Sequence, residues 1–355
     1  MKKNFLLCLF MMAFSVTFFT ACGDDDDDKK ENGGGSTETT WKDGAGTYKK
    51  DGGDGVLKLN DAEPAATKIV SLAASGDNAK ITLTNVVPDD ATVEFDNIEM
   101  KKADGNYTFE SEKAVGTTTI KISGTLSGIP ATKAYAAAKT LDIKVTRKIT
   151  SPLAGTWKLN FDEKTGADVY FDVSTDDPKN DAAFAYLGPK LGGMMAQKVT
   201  AVSAIFGEDG IFDVNWVKQG ETDPTVLSSI TRPMAGDLMY FASESQLFLV
   251  LDKAILPVIS VLAGDIDIDS LLKLLVDKGD YYALPMSMVI NGDKVSFYTE
   301  KEMLNAILPI VHPMLAGLGE QLPPALAGQV GPLLEKLPEI VPNAEKFNVG
   351  LNFSK

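Results

Sequence analysis

Ala154-Gly155-Thr156-Trp157-Lys158-Leu159-Asn160-Phe161 is the stretch from which the rest of the chain is read. Trp157, Leu159 and Phe161 recur at every second position with polar residues between them. That two-residue period belongs to a β-strand with one dry face. Upstream, Ala45-Gly46-Thr47-Tyr48-Lys49 repeats the opening of this stretch almost residue for residue. Each copy is followed by short alternating runs, so the chain reads as two β-rich halves, each opened by the same five-residue signal.

In the first half the runs are Gly55–Leu59, Ala79–Thr84, Thr92–Phe95, Tyr107–Phe109, Thr119–Ile122 and Leu141–Val145, with Asp51-Gly52-Gly53, Ser75-Gly76-Asp77 and Asp104-Gly105-Asn106 as turns between them. Thr132–Lys139 reads as a helical turn or two, or a loop. In the second half the runs are Gly155–Phe161, Val199–Phe206, Gly210–Trp216, Met239–Phe241, Gln246–Leu251, Met286–Ile290, Lys294–Tyr298 and Lys346–Phe353. Asn291-Gly292-Asp293 is a hairpin signal between two of them. Short strands at regular spacing predict antiparallel sandwiches or barrels.

Helices interrupt the second half. Asp269 is an N-cap for Ser270–Lys278 with Gly279 as its stop, and Thr299 caps a longer helix in which Met303, Leu304, Ile307, Leu308 and Val311 share a face. Prolines at 309, 313, 323, 324, 332, 338 and 342 cut this region into short or kinked pieces. One to three helices are expected to pack on the β core or over one of its ends.

The N-terminus has its own logic. Met1-Lys2-Lys3 is basic, Phe5–Phe19 is nearly all apolar, and Thr20-Ala21-Cys22-Gly23 ends the run. The run is too short for a durable membrane span. A small residue before a cysteine at this place resembles the lipobox of bacterial lipoproteins, which implies cleavage before Cys22 and lipid attachment to it. Cys8 leaves with the signal peptide, so the mature chain has no cysteine pair for a disulfide. Asp24–Asp28, Lys29, Lys30, Glu31 and Gly33-Gly34-Gly35-Ser36 then form a charged, self-repelling tether. An acidic run directly after the lipidated cysteine resembles the surface-export signal of Bacteroidetes lipoproteins. It implies attachment to the outer membrane, on the cell surface, with the periplasmic face as the alternative.

Gly155-x-Trp157 resembles the Gly-x-Trp start of lipocalins and related calycins. In that superfamily the tryptophan packs across one end of a barrel and the glycine admits a close chain approach. The first half resembles the calycin-like domain of Bacteroidetes lipoproteins of unknown function, and the two-part chain resembles an uncharacterised family of such lipoproteins. The expected architecture is mainly β: two antiparallel calycin- or lipocalin-like barrel or sandwich domains, the second with helical insertions. Residues 1–21 are the signal peptide and 22–40 the tether. Residues 41–148 form the first domain and 149–355 the second, with its helical insert over about 253–278 and 300–342. The lipocalin Thr-Asp-Tyr motif is absent, and the proline-rich insert is foreign to simple lipocalins.

Composition excludes more than it assigns. The chain carries 34 Lys and Arg against 49 Asp and Glu, a net charge of -15, which is the wrong sign for a nucleic-acid partner. Residues 24–40 hold 2 basic and 7 acidic groups, residues 41–148 hold 15 of each, and residues 149–355 hold 15 basic against 27 acidic. An acidic second domain is repelled by an anionic membrane, so it should face away from the anchor. His312 is the only histidine, set in Val311-His312-Pro313, and reads as an ordinary helix-face or loop residue. There is no Gly-x-Ser-x-Gly elbow, no thiol left for catalysis and no phosphate-cradling loop. Asp265-Ile266-Asp267-Ile268-Asp269 starts like a calcium loop but has Ser270 where glycine is required and Val276 where the bidentate glutamate belongs. Asp172, Asp176, Asp177 and Asp181 read as a solvated acidic loop. Neither a metal nor a cofactor is expected.

Two non-catalytic readings of function remain. Methionine is an adaptable lining for irregular apolar space, and the second half is rich in it. An apolar or amphipathic small molecule is therefore expected in a pocket built from Trp157, Met239, Met286, Met288, Met303, Leu304, Leu308 and Met314. The other reading is a cell-surface interaction or glycan-adhesion module without an internal ligand, using Trp41, Tyr107, Tyr281 and Tyr282 as exposed platforms. A hydrolase would need a spatial pair of carboxylates that no local signal singles out.

Overall fold

A computed structural model of the chain describes residues 39–88, 90–129, 138–162, 165–229, 238–253, 272, 275–278, 280–309, 312 and 331–355. The chain divides into two compact units, with the division after Thr150. Cys22, the tether, residues 132–137 of the helical-turn reading, the Asp265–Asp269 run and Met314 lie outside the described residues.

The first unit is one curled nine-stranded sheet. Its strands are β1 (Gly46–Lys49), β2 (Gly55–Leu59), β3 (Ile69–Ser75), β4 (Asn78–Val87), β5 (Asp90–Ile98), β6 (Lys101–Ala103), β7 (Asn106–Val115), β8 (Thr118–Ser127) and β9 (Thr140–Ile149). They lie in the order β5-β4-β3-β1-β2-β9-β8-β7-β6. The pairings of β2 with β1 and with β9 are parallel, a detail that alternation within a strand cannot reveal. The two edge strands, β5 and β6, are consecutive in the chain with only Glu99 and Met100 between them. The sheet therefore curls until its edges approach. Lys113 of β7 donates its ammonium to the Glu94 carbonyl of β5 at 2.9 Å across the seam. The alternating positions, among them Tyr48, Val70, Ile81, Ile120, Leu141 and Ile143, are fully buried on the inner face.

The second unit holds β10 (Gly155–Leu159), β11 (Phe161–Asp162), β12 (Gly166–Ala167), β13 (Val169–Ser174), β14 (Val199–Phe206), β15 (Ile211–Lys218), β16 (Thr225–Val226), β17 (Leu238–Ala242), β18 (Gln246–Asp252), β19 (Val276–Lys278), β20 (Tyr281–Asn291), β21 (Lys294–Thr299) and β22 (Lys346–Ser354). Eight of them, β10-β14-β15-β17-β18-β20-β21-β22, close into an antiparallel barrel through pairing of β22 with β10. The last strand of the chain thus returns to the strand that opened the unit. β22 shares that second edge: Phe353 and Ser354 pair with β10, and Lys346–Leu351 pair with β13. The hairpin at Asn291-Gly292-Asp293 forms as its sequence requires, with Gly292 at φ 63°.

Helices cover one face of β13 and β22. α1 (Pro178–Ala196) and α2 (Leu337–Asn343) join the helical residues 301–309 and 331–335. Phe184 and Leu187 of α1, Leu308, Leu334 and Val341 pack together on Phe347 of β22. Much of the described apolar content of the insert is satisfied in this way. Pro338 sits in the first turn of α2, where a missing N–H costs nothing.

Three local expectations are corrected. Asp172 and Asp181 leave the expected solvated loop, Asp172 for β13 and Asp181 for α1, where it accepts from the Thr175 amide and hydroxyl at 2.8 Å; Asp176 and Asp177 stay exposed in the short segment between, and Asp177 caps α1 by accepting from the Lys179 amide at 2.9 Å. The Ser270–Lys278 helix does not reach its stop, since Val276–Lys278 is a strand on the edge of β20, its Asp277 held by Lys253 at 2.8 Å. The later helix begins at residue 301, and Thr299 belongs to β21 rather than to a cap.

Candidate functional site

The five-residue openings have one local geometry. Before each, the chain turns, with the Ala45 amide bonded to the Lys42 carbonyl and the Ala154 amide to the Ser151 carbonyl, both at 3.1 Å. Gly46 and Gly155 take φ of 155° and 120°, where an L side chain is strained. Two residues on, Tyr48 and Trp157 are both fully buried. Each donates to the carbonyl four residues back: Tyr48 Oη to Gly44, and Trp157 Nε1 to Leu153 at 2.6 Å. The sequence echo is thus an echo in structure. The role expected for Gly155 is corrected, since a Cβ there would meet only the Lys355 side chain, at 3.8 Å. Its backbone angle, and not close packing, requires glycine.

Trp157 lies where β10 begins and β22 finishes, with the Lys355 ammonium 4.6 Å from its ring centroid. Its strand register with Ala204 carries the inner face around the barrel. An aromatic group fills part of the interior: Phe206 stands 5.1 Å from Phe212, 4.9 Å from Tyr240 and 5.6 Å from Phe297, which in turn meets Phe353 at 5.5 Å. Register places Val214, Met286 and Leu351 on that same inner face, opposite Ala204, Leu247 and Phe297. These three are only half-buried.

The eight expected pocket residues do not form one set. Trp157, Met286 and Met288 share the inner face, and Trp157 and Met288 are buried. Met239 pairs with Val250, which pairs with Ala283, and so stands on the opposite face in a cluster with Phe241, Phe248 and Tyr281. Leu304 and Leu308 belong to the helical layer, and Met303 lies on the same helical segment. Trp157, Met286 and Met288 are thus brought to one face of the barrel, and Leu304 and Leu308 pack in a separate core. His312 places Nε2 3.2 Å from the Glu335 carbonyl.

The adhesion platforms are corrected as well. Trp41, Tyr107 and Tyr281 are buried, and Tyr282 lies beneath the Lys253 ammonium at 4.5 Å. A different tyrosine pair lines an open groove of about 500 Å³ on the outer wall of the barrel. Tyr170 of β13 and Tyr298 of β21 have ring centroids 5.0 Å apart. Tyr170 donates to Asp172 at 3.2 Å, and Asp172 is also ion-paired with Lys346. Burial first and the Asp172 carboxylate second push the Tyr170 hydroxyl up to about 12. Burial and then Glu300 raise that of Tyr298. Sequence periodicity passed over this pair because Tyr170 and Tyr298 are far apart in the chain and are joined only through β22.

Comparison with protein-family models, with curated proteins and with solved structures finds no match for this chain.

Proposed function

We propose that this chain is a lipid-anchored, non-catalytic envelope protein whose second unit holds an apolar or amphipathic small molecule inside its barrel. In this reading Cys22 carries the lipid, the acidic tether lifts the folded units off the outer membrane, and the first unit is a spacer or interaction module. One observation carries the ligand proposal: Val214, Met286 and Leu351 face inward within a closed eight-strand barrel yet stay half-buried. A barrel of eight strands is either filled by its own side chains or leaves room for one small ligand. Inward apolar groups that retain exposure favour the second case.

The test is titration of the full-length chain with a fluorescent polyene fatty acid. Trp157 and Trp216 lie on the inner face, so binding inside the barrel transfers their emission to the polyene. Met286→Trp fills the space and should weaken binding by about tenfold or more. A saturable signal unchanged by that variant would place the fatty acid elsewhere, and no signal would refute the proposal. Protease treatment of intact cells tests the location: surface exposure predicts cleavage of the folded units, and full protection would exclude it.

A further inference from the structure

We propose that the outer groove between β13, β21 and β22 is a second, separate binding site, and that it takes an organic cation bearing ammonium groups on an alkyl chain. Beside the groove, a glycine stands in register between its two tyrosines. Gly350 of β22 pairs with Tyr170 on one side and with Tyr298 on the other. A Cβ at Gly350 would lie 1.9 Å from the Phe297 carbonyl and 2.6 Å from Tyr298 Cα. Only glycine fits there, and the phenol rings of the two neighbouring strands meet across it.

Charge selects the ligand. Asp172, Glu300, Glu302 and Glu345 line the groove against Lys301 and Lys346. Four carboxylates stand against two ammonium groups, of which Lys346 is paired with Asp172 and Lys301 is turned to the Ala344 carbonyl at 2.7 Å. The lining therefore keeps a surplus of carboxylate. Burial and then the carboxylates beside them raise the hydroxyls of Tyr170 and Tyr298, which marks negative potential at both rings. Electron-rich ring faces beside carboxylates attract an ammonium group and repel an anion. Val289 adds an apolar contact to this lining, since it is 42% exposed and one of few large apolar side chains so open among the described residues. An alkyl-linked ammonium satisfies all three features at once: rings, carboxylates and an apolar strip.

Calorimetric titration of the full-length chain with spermidine tests the proposal. Saturable binding that weakens as sodium chloride rises is expected. Tyr298→Ala and Glu300→Gln should each weaken it by about tenfold. Met286→Trp, which alters only the barrel interior, should change it little. Circular dichroism of each variant separates lost binding from lost fold. No heat with spermidine, or binding indifferent to Tyr298→Ala and Glu300→Gln in folded variants, would overturn the site. Saturation by maltose in place of spermidine would overturn the ligand class.

Discussion

At the scale of single residues, the buried donors Tyr48 and Trp157 hold the start of each unit. Trp157→Phe leaves the Leu153 carbonyl without its 2.6 Å donor and opens a void beside it. The expected loss is about 1–3 kcal/mol from the unmade hydrogen bond, with a further cost for the void, read by urea denaturation of the second unit. Tyr48→Phe acts in the same way on the first unit. Tyr48 also sets an alkaline limit. Burial, and then the charge of Asp54, raise its hydroxyl to about 12, above the value near 10 of an unfolded tyrosine. The folded state therefore holds this proton more tightly than the unfolded state. Its contribution is fully present below pH 10 and is lost as pH rises toward about 12. Stability of the first unit should fall across that window, and Tyr48→Phe should flatten the fall. An identical pH profile in the variant would refute this role.

At the scale of elements, the strands were legible because one wet face forces alternation. The runs Gly55–Leu59 and Val199–Phe206 coincide with β2 and β14. What alternation could not supply was the side chosen where both faces are apolar. Leu238-Met239-Tyr240-Phe241 offers no polar residue to mark the outside, and register alone turns Met239 away from the barrel interior. α1 was hidden for another reason: Gly188, Pro189, Gly192 and Gly193 are poor helix formers. Their use is tertiary. A Cβ on Gly192 would stand 2.1 Å from the Ala167 carbonyl and 2.8 Å from that of Thr165, so the missing side chain lets α1 lie directly on the β12 turn. Gly192→Ala should therefore destabilise, although alanine favours helices by about 1 kcal/mol over glycine. A lower denaturation midpoint is expected, and a higher one would contradict the close approach.

At the scale of the whole molecule, alternation marks the first and last strands of the second unit as strands, and their closure into a barrel comes from register. Only Lys158–Ser354 and Leu159–Phe353 pair β10 with β22. Removal of residues 346–355 should therefore abolish the unfolding transition of the second unit and leave that of the first unit intact, as scanning calorimetry would record. The candidate site was half legible. The inner set of Trp157, Met286 and Met288 was named from sequence, whereas the tyrosine groove depends on three strands meeting at Gly350. The acidity of residues 149–355 now has one local counterpart in the carboxylates that line that groove.

The most direct test of the account is native mass spectrometry of the full-length chain purified from its own membrane, compared with the same sample denatured in organic solvent. Two mass increments are predicted. One is a covalent acyl increment on a chain that begins at Cys22 and survives denaturation. The other is a single apolar small molecule that is present in the native spectrum and lost in the denatured one. Identical native and denatured masses from a folded protein would contradict a filled barrel, and a chain that still begins at Met1 without acyl groups would contradict the anchor.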